Sequence, residues 1–197
     1  MKKWIALLLL CVLLLCGCQE TQPELYIEPA QLTPEEKNIA NLLGANSDQR
    51  IFDFHVDDTV QRMEINAYEL VDGEWDMFFG GGGSRLTETK GRVAVDFDWI
   101  GDGVRIAYQT ETQGGSSGWA DDPGEDHSNM NMATSLLSER TPVVYEQEIA
   151  LAIQVCTESS QITSYNTTYF DQPQMYEDLD YEHVYAITVK FSQIPLS

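Results

Sequence analysis

The chain has 197 residues, of which 32 are acidic and 11 are basic, and its formal charge at pH 7 is −21. Such a charge repels nucleic acid and anionic lipid, which argues against DNA or RNA binding and against direct electrostatic attachment to a membrane. The partners that suit this charge are cations, neutral saccharides and basic patches of other proteins. The alternative is that the charge has no partner and serves to keep the protein soluble.

The first residues have the layout of a secretory signal peptide. Met1-Lys2-Lys3 is a short positive head, and Trp4 to Leu15 is an apolar run without charge. The run is shorter than the roughly 20 apolar residues that a membrane-spanning helix needs. We therefore expect residues 1–17 to be removed as a signal peptide.

The end of this segment, Leu15-Cys16-Gly17-Cys18, resembles the lipobox of bacterial lipoproteins. Cys16 stands where that family usually has a small or aliphatic residue, and the resemblance covers residues 1–18 alone. It implies that Cys18 receives a diacylglycerol, that the chain is cut before it, and that the new amino terminus is acylated, for example with palmitate. It thus implies a lipid anchor in a bacterial membrane, on the extracytoplasmic face. Loss of Lys2 and Lys3 would change the formal charge to −23.

Residues 18–32 follow as the lipidated cysteine and a polar, proline-containing tether, and residues 33–197 are expected to form a single domain. Thr33-Pro34-Glu35-Glu36 has an N-cap residue, a proline at the first helical position and a glutamate at the third. An apolar stripe of Ile39, Leu42 and Leu43 follows and ends at Gly44. These signals predict one short helix.

Beyond residue 49 the apolar residues alternate with polar ones, which is the pattern of half-buried strands. Asp72-Gly73 between two such runs predicts a tight hairpin, and Gly80 to Gly83 with Ser84 predicts a mobile loop. The apolar run Val143 to Thr157 predicts a central strand. The other alternating positions are Phe52, Phe54 and Val56; Met63, Ile65 and Ala67; Val93, Val95, Phe97 and Trp99; Val104, Ile106 and Tyr108; and His183, Tyr185, Ile187, Val189 and Phe191.

Two long stretches, residues 112–128 and 159–180, are rich in turn-forming residues and are predicted to be irregular loops. Residues 129–139 are predicted to hold a short helix, because Met132 and Leu136 lie one helical turn apart. One helix followed by about eight short strands predicts a mainly β domain, an antiparallel β-sandwich of jelly-roll-like form, with an open barrel as the alternative.

Nucleophile motifs are weak in this chain. Gly114 to Gly118 matches the letters of the G-x-S-x-G elbow, but no helix follows it, so Ser116 with His127 or His183 is not predicted to be catalytic. Cys156 is the one cysteine beyond Cys18 and lies in an apolar run, which predicts a small buried side chain and no internal disulfide. We predict no catalytic residue and favour a non-enzymatic protein.

Calcium is the metal that best fits the acidic loops, because it accepts six to eight oxygen ligands at flexible spacing. The stronger candidate set is Asp121, Asp122, Glu125 and Asp126. A second stretch holds Asp96, Asp98 and Asp102, although its spacing does not match a calcium loop. The three histidines, His55, His127 and His183, have no zinc-binding spacing.

Aromatic residues in the two long stretches are candidates for ligand binding. Together they could offer a platform on which a sugar ring or a peptide stacks, with aspartates accepting hydrogen bonds. The alternative is that these rings attach long loops to the sandwich. The residues are Trp119, Tyr165, Tyr169, Phe170 and Tyr176.

These observations favour a membrane-tethered module that binds a ligand or a partner protein through residues 112–128 and 159–180. One alternative is a calcium-dependent hydrolase of envelope saccharide or peptide. Another is an accessory subunit with a role in assembly.

Overall fold

The structure is a computed structural model that describes residues 24–42, 50–80, 83–120, 129–176, 179 and 181–195. Twelve strands form two antiparallel sheets of six strands each. The strands of the first sheet are β1 (Tyr26–Pro29), β2 (Ile51–His55), β6 (Lys90–Asp96), β7 (Gly103–Gln109), β8 (Gly114–Ala120) and β10 (Thr141–Pro142). Their order across the sheet is β10-β1-β2-β6-β7-β8. The main strands of the second sheet are β3 (Arg62–Val71), β4 (Glu74–Phe79), β9 (Asn131–Leu136), β11 (Glu148–Thr157) and β12 (His183–Ser192). Their order across the sheet is β4-β3-β12-β11-β9. The short strand β5, Gly83–Arg85, pairs with β3.

The two sheets share one apolar core. Alternate residues of each strand point inward, and the rings of Phe54 on β2 and Phe191 on β12 meet with their centroids 5.3 Å apart. Val93 and Val95 of the first sheet and Ile187 of the second are fully or almost fully buried in the same core. The prediction of a mainly β, sandwich-like, antiparallel domain with one helix is confirmed.

The second sheet has apolar residues on its outer face as well. The described residues between 161 and 181, which we call the cover segment, pack there and include two 3₁₀ helices, Thr167–Asp171 and Pro173–Tyr176. A bulge between Ala150 and Ala152 in β11 resets the alternation, so that Ile153 faces the cover segment. Because β11 lies between β12 and β9 and is buried on both faces, its prediction as a central strand is confirmed, with the start at Glu148.

Four predictions about local structure are wrong. Gly83 and Ser84 begin the short strand β5, which pairs with β3, and are not part of the predicted loop. Gly114–Ala120 is a strand and not part of a loop, because it pairs with β7 along seven residues. Asn131–Leu136 is a strand and not a helix: Met132, Thr134 and Leu136 also fit a period of two, and pairing with the central strand β11 selects it. Tyr26–Pro29 belongs to the first sheet and not to the tether, and Ile27 is fully buried, so the folded domain begins before residue 33.

The predicted helix spans Pro34–Leu42, and we call it α1. Its capping box is present: the Thr33 N–H donates to Glu36 Oε2 at 2.7 Å, and the Glu36 N–H donates to Thr33 Oγ1 at 3.3 Å. The apolar stripe is not buried, since Ile39 is 55% exposed and Leu42 is 86% exposed. An ion pair from Glu36 to Arg92 on β6, at 2.6 Å, connects α1 to the first sheet. None of the described helices is long and apolar enough to cross a membrane.

Candidate ligand-binding recess

An open depression of about 610 Å³ lies on the first sheet where β6, β7 and β8 are neighbours. We call it the recess. Its volume falls within the usual range of small-molecule sites. The polar and aromatic residues that line it are Asp96, Phe97, Asp98, Arg105, Ser116, Ser117 and Trp119.

Strand register brings these residues together. Asp96 lies opposite Arg105, and Arg105 lies opposite Gly118, so three neighbouring strands contribute one row across the outer face. Because Gly118 has no side chain, the floor of the recess is low beside Arg105. A Cβ at Gly103 would lie 2.8 Å from the carbonyl oxygen of Trp119, so β7 and β8 approach closely at the end of the recess.

Buried groups hold the segment that carries Asp98. The side chain of Gln154 on β11 is fully buried; its Oε1 accepts from the Ile100 N–H at 2.8 Å, and its Nε2 donates to the Asp98 carbonyl oxygen at 3.0 Å. The Arg50 guanidinium lies 3.9 Å from the centroid of the Phe97 ring and donates to the Phe97 carbonyl oxygen. These contacts attach the turn between β6 and β7 to the core.

The recess offers hydrogen-bonding groups of both kinds. Asp96 and Asp98 are exposed acceptors, Arg105 is an exposed donor, and the hydroxyls of Ser116 and Ser117 are both. Trp119 is half-buried, and its ring meets Phe78 of the second sheet at 5.1 Å between centroids. This combination suits a ligand rich in hydroxyl groups.

The predicted aromatic set is divided by the second sheet. Trp119 lies at the recess, whereas Tyr165, Tyr169 and Tyr176 lie in the cover segment on the far side of that sheet. The Tyr165 ring is 4.6 Å from that of Tyr169 and 5.4 Å from that of Tyr176. These rings therefore do not form one platform with Trp119.

Contacts of the cover segment agree with the alternative that its rings attach the chain to the sheet. Tyr176 is 3% exposed, and burial raises the pKa of its hydroxyl. Trp75 on β4 stacks on Phe170, with ring centroids 5.0 Å apart, and its Nε1 donates to the Phe170 carbonyl oxygen at 2.8 Å. Tyr165 and Tyr169 stay partly exposed beside them.

The stronger predicted calcium set, Asp121, Asp122, Glu125 and Asp126, lies outside the described residues, as does Cys18. Of the weaker set, Asp96 and Asp98 line the recess, and Asp102 is exposed in the turn that precedes β7. Within the described ranges no group of three or more histidine, cysteine, aspartate or glutamate side chains is arranged to hold a metal ion.

The structure separates Ser116 from His183 and holds Cys156 in a buried position. Ser116 is exposed on the first sheet, while His183 is on the second sheet, where its Nδ1 lies 2.8 Å from Glu69 Oε1. His127 lies outside the described residues. Cys156 is opposite His183 in the ladder, but the residue is fully buried, and burial raises the pKa of its thiol to about 12. A thiol held in this protonated form is a poor nucleophile.

A buried ion network on the second sheet was not predicted from the sequence. Lys190 Nζ lies 2.8 Å from Glu64 Oε2 and 3.6 Å from Glu148 Oε1, so two carboxylates converge on one ammonium group. Glu148 also accepts from Asn66 and from the Tyr68 hydroxyl, each at 3.1 Å. The only signal in the sequence is a charged residue within an otherwise apolar strand. Arg62 brings a second positive charge, with its Nη2 2.5 Å from Glu64 Oε1, so both carboxylates are paired and neither is left as a reactive group.

No protein-family model, no curated protein and no solved structure matches this chain.

Proposed function

We propose that this protein is a non-enzymatic binding module, built on a jelly-roll-like sandwich and held by a lipid on Cys18 to the extracytoplasmic face of a bacterial membrane. The ligand we propose is an envelope saccharide that binds in the recess. The observation that carries this proposal is the row of charged and hydroxyl-bearing side chains across β6, β7 and β8 around a low floor at Gly118.

Physical complementarity supports the choice of ligand. A saccharide presents many hydroxyl groups that both donate and accept, so they can donate to the carboxylates of the recess, accept from its guanidinium and do either with its serine hydroxyls. The recess is open, which suits part of a longer polymer better than an enclosed small molecule. The formal charge of −21 disfavours polyanionic saccharides, so we expect a neutral or amine-bearing one.

The lipid anchor rests on the sequence of residues 1–18. If Cys18 carries the lipid, seven residues separate it from β1 at Tyr26, and the eight steps from Cys18 to Tyr26 reach at most about 28 Å. The domain would then stand close to the membrane surface and contact material that lies directly on it.

Labelling with an alkyne fatty acid tests the anchor. We expect the label on the wild-type chain and on Cys156→Ser, and expect Cys18→Ser to lose both the label and its sedimentation with membranes. Cys156→Ser is the matched control, because it also removes one thiol but lies in the folded domain. Label retained on Cys18→Ser would exclude this attachment.

Titration with solubilised envelope saccharides, followed by calorimetry, tests the ligand. We expect Asp96→Asn with Asp98→Asn to weaken binding about 10-fold or more, because each lost charge-assisted hydrogen bond contributes about 1.5–3 kcal/mol. Asp76→Asn on the exposed edge of the second sheet removes a similar charge away from the recess and should leave binding unchanged. Equal affinities of the wild type and the double variant would remove the recess from the proposal. Calcium-dependent release of new reducing ends would instead support a hydrolase.

A further inference from the structure

The outer edge of β8 is unusual among the edges of the two sheets. Within the described residues, β8 pairs with β7 on one side and has no strand on the other. Its sequence, Gly-Gly-Ser-Ser-Gly-Trp-Ala, contains no charge and no proline. Proteins usually protect an edge strand with charged residues or proline, because the unpaired backbone N–H and C=O groups of the edge can pair with another chain.

Other edges carry this protection. β4 has the exposed carboxylates of Glu74 and Asp76, and β10 is two residues long and contains Pro142. β9 is also uncharged and lies at an edge, but it is one residue shorter than β8, and the chain that follows β11 contacts its start, where the Asn131 side chain donates to the Ser159 carbonyl oxygen at 3.1 Å. β8 is therefore the longest uncharged edge among the described strands.

Acidic residues lie near both ends of β8. Glu111 is exposed in the turn from β7 to β8, close to Gly114, and Asp102 is exposed immediately before Gly103, which pairs with Ala120. If two copies of this chain paired through β8 in antiparallel fashion, Glu111 of each would approach Asp102 of the other. Like charges at both ends disfavour that dimer and favour a partner with basic ends.

We propose that β8 binds an extended segment of another protein by strand addition, and that this segment has an uncharged middle of about the length of β8 with a basic residue at each end. Main-chain hydrogen bonds to β8 supply the affinity, and the ion pairs to Glu111 and Asp102 set the position of the segment. The inference does not depend on saccharide binding in the recess, because it uses the edge of the strand and not its outer face.

Synthetic peptides test this proposal on the full chain purified in a zwitterionic detergent. The probe has a lysine at each end and alternating valine and threonine between them, and binding is measured by fluorescence anisotropy. Two further peptides carry N-methyl groups on alternate residues, in one register or in the other. A strand bonds to its neighbour through every second N–H, so we expect one methylated peptide to bind like the parent and the other to lose at least about 10-fold in affinity.

Charge variants test the predicted position. Asp102→Asn with Glu111→Gln should weaken binding of the lysine-ended peptide, whereas the matched change of Glu74→Gln with Asp76→Asn on β4 should not. Equal binding of both methylated peptides would show electrostatic attraction without strand addition and would overturn the proposal. The proposal would also be overturned if the parent peptide did not bind, or if sedimentation showed a dimer that Ser117→Pro dissociates.

Discussion

The fully buried side chain of Gln154 accepts a hydrogen bond from the backbone N–H of Ile100, at 2.8 Å. Gln154 belongs to the central strand of the second sheet, and Ile100 belongs to the turn between two strands of the first. The same carboxamide donates to the partly buried Asp98 carbonyl oxygen, so one side chain satisfies two backbone groups. A core residue of one sheet thereby fixes the rim of the recess on the other.

Replacing Gln154 with leucine should keep the volume and remove these bonds. We expect a loss of about 2–4 kcal/mol in the free energy of unfolding, because the Ile100 N–H would be buried without a partner and the partly buried Asp98 carbonyl would lose its bond to the carboxamide. Urea unfolding measures this loss. Gln172→Leu, at an exposed position, is the control and should change stability by less than about 0.5 kcal/mol. If the urea midpoint of Gln154→Leu equals that of the wild type, another group must bond to the two backbone atoms in place of the carboxamide.

Gly80→Ala should destabilise the second sheet. Gly80 has φ +125°, and a Cβ there would lie 2.2 Å from Asn66 Oδ1 and 2.9 Å from Asn66 Cα. We expect a cost of about 2–3 kcal/mol, together with displacement of the Asn66 amide from Glu148. Thermal unfolding and the NMR signals of the Asn66 side-chain NH₂ group report the two effects.

Gly83→Ala is the matched control for this substitution. A Cβ at Gly83 would meet its nearest neighbours at 3.2 Å, and those two atoms belong to the flexible side chains of Arg62 and Glu64. Its cost should be clearly smaller than that of Gly80→Ala. Equal costs would show that the loop adapts and that Gly80 is not constrained by Asn66.

Local signals predicted local structure well in this chain. The capping box of Thr33 and Glu36 is formed, and Asp72 and Gly73, with φ values of 52° and 82°, make the two-residue hairpin between β3 and β4. Each of these features depends on side chains within a few residues of the backbone that they fix. They can therefore be recognised before the partners of the element are known.

Features that depend on distant partners were missed. Glycine disfavours strands, yet β8 forms because β7 offers a complete ladder and because Gly115 leaves room for the Tyr108 ring, whose Cε1 would lie 2.7 Å from a Cβ. The stripe of Ile39 and Leu42 predicted a buried face on α1, but a periodic pattern does not show whether another element packs there. Trp119 was singled out from its sequence alone, whereas Arg105 joins it only through the register of β7 and β8.

Glu36 should titrate far below an ordinary glutamate. The Thr33 backbone N–H, the Arg92 guanidinium and the Thr33 hydroxyl lower its pKa from 4.5 to about 2. A lowered pKa in the folded state means that the ionised form stabilises the fold above the unfolded pKa, and that this contribution is lost as the pH falls towards about 2. NMR titration of the carboxyl carbon should show this midpoint. In Arg92→Gln we expect the midpoint to rise, and an unchanged midpoint would leave the N-cap as the sole cause.

Cys156 should be unreactive in the folded protein. The residue is fully buried, and burial, with the nearby charges of Glu182 and Glu69, raises the pKa of its thiol to about 12. At pH 8 the thiolate is therefore scarce and alkylating reagents do not reach it, so iodoacetamide should label Cys156 only when β11 opens. Labelling in urea provides the positive control, and Cys156→Ala the background. Rapid labelling under native conditions, lost in His183→Gln, would instead show a thiolate supported by the imidazole across the ladder, and it would turn Cys156, His183 and Glu69 into a candidate catalytic group.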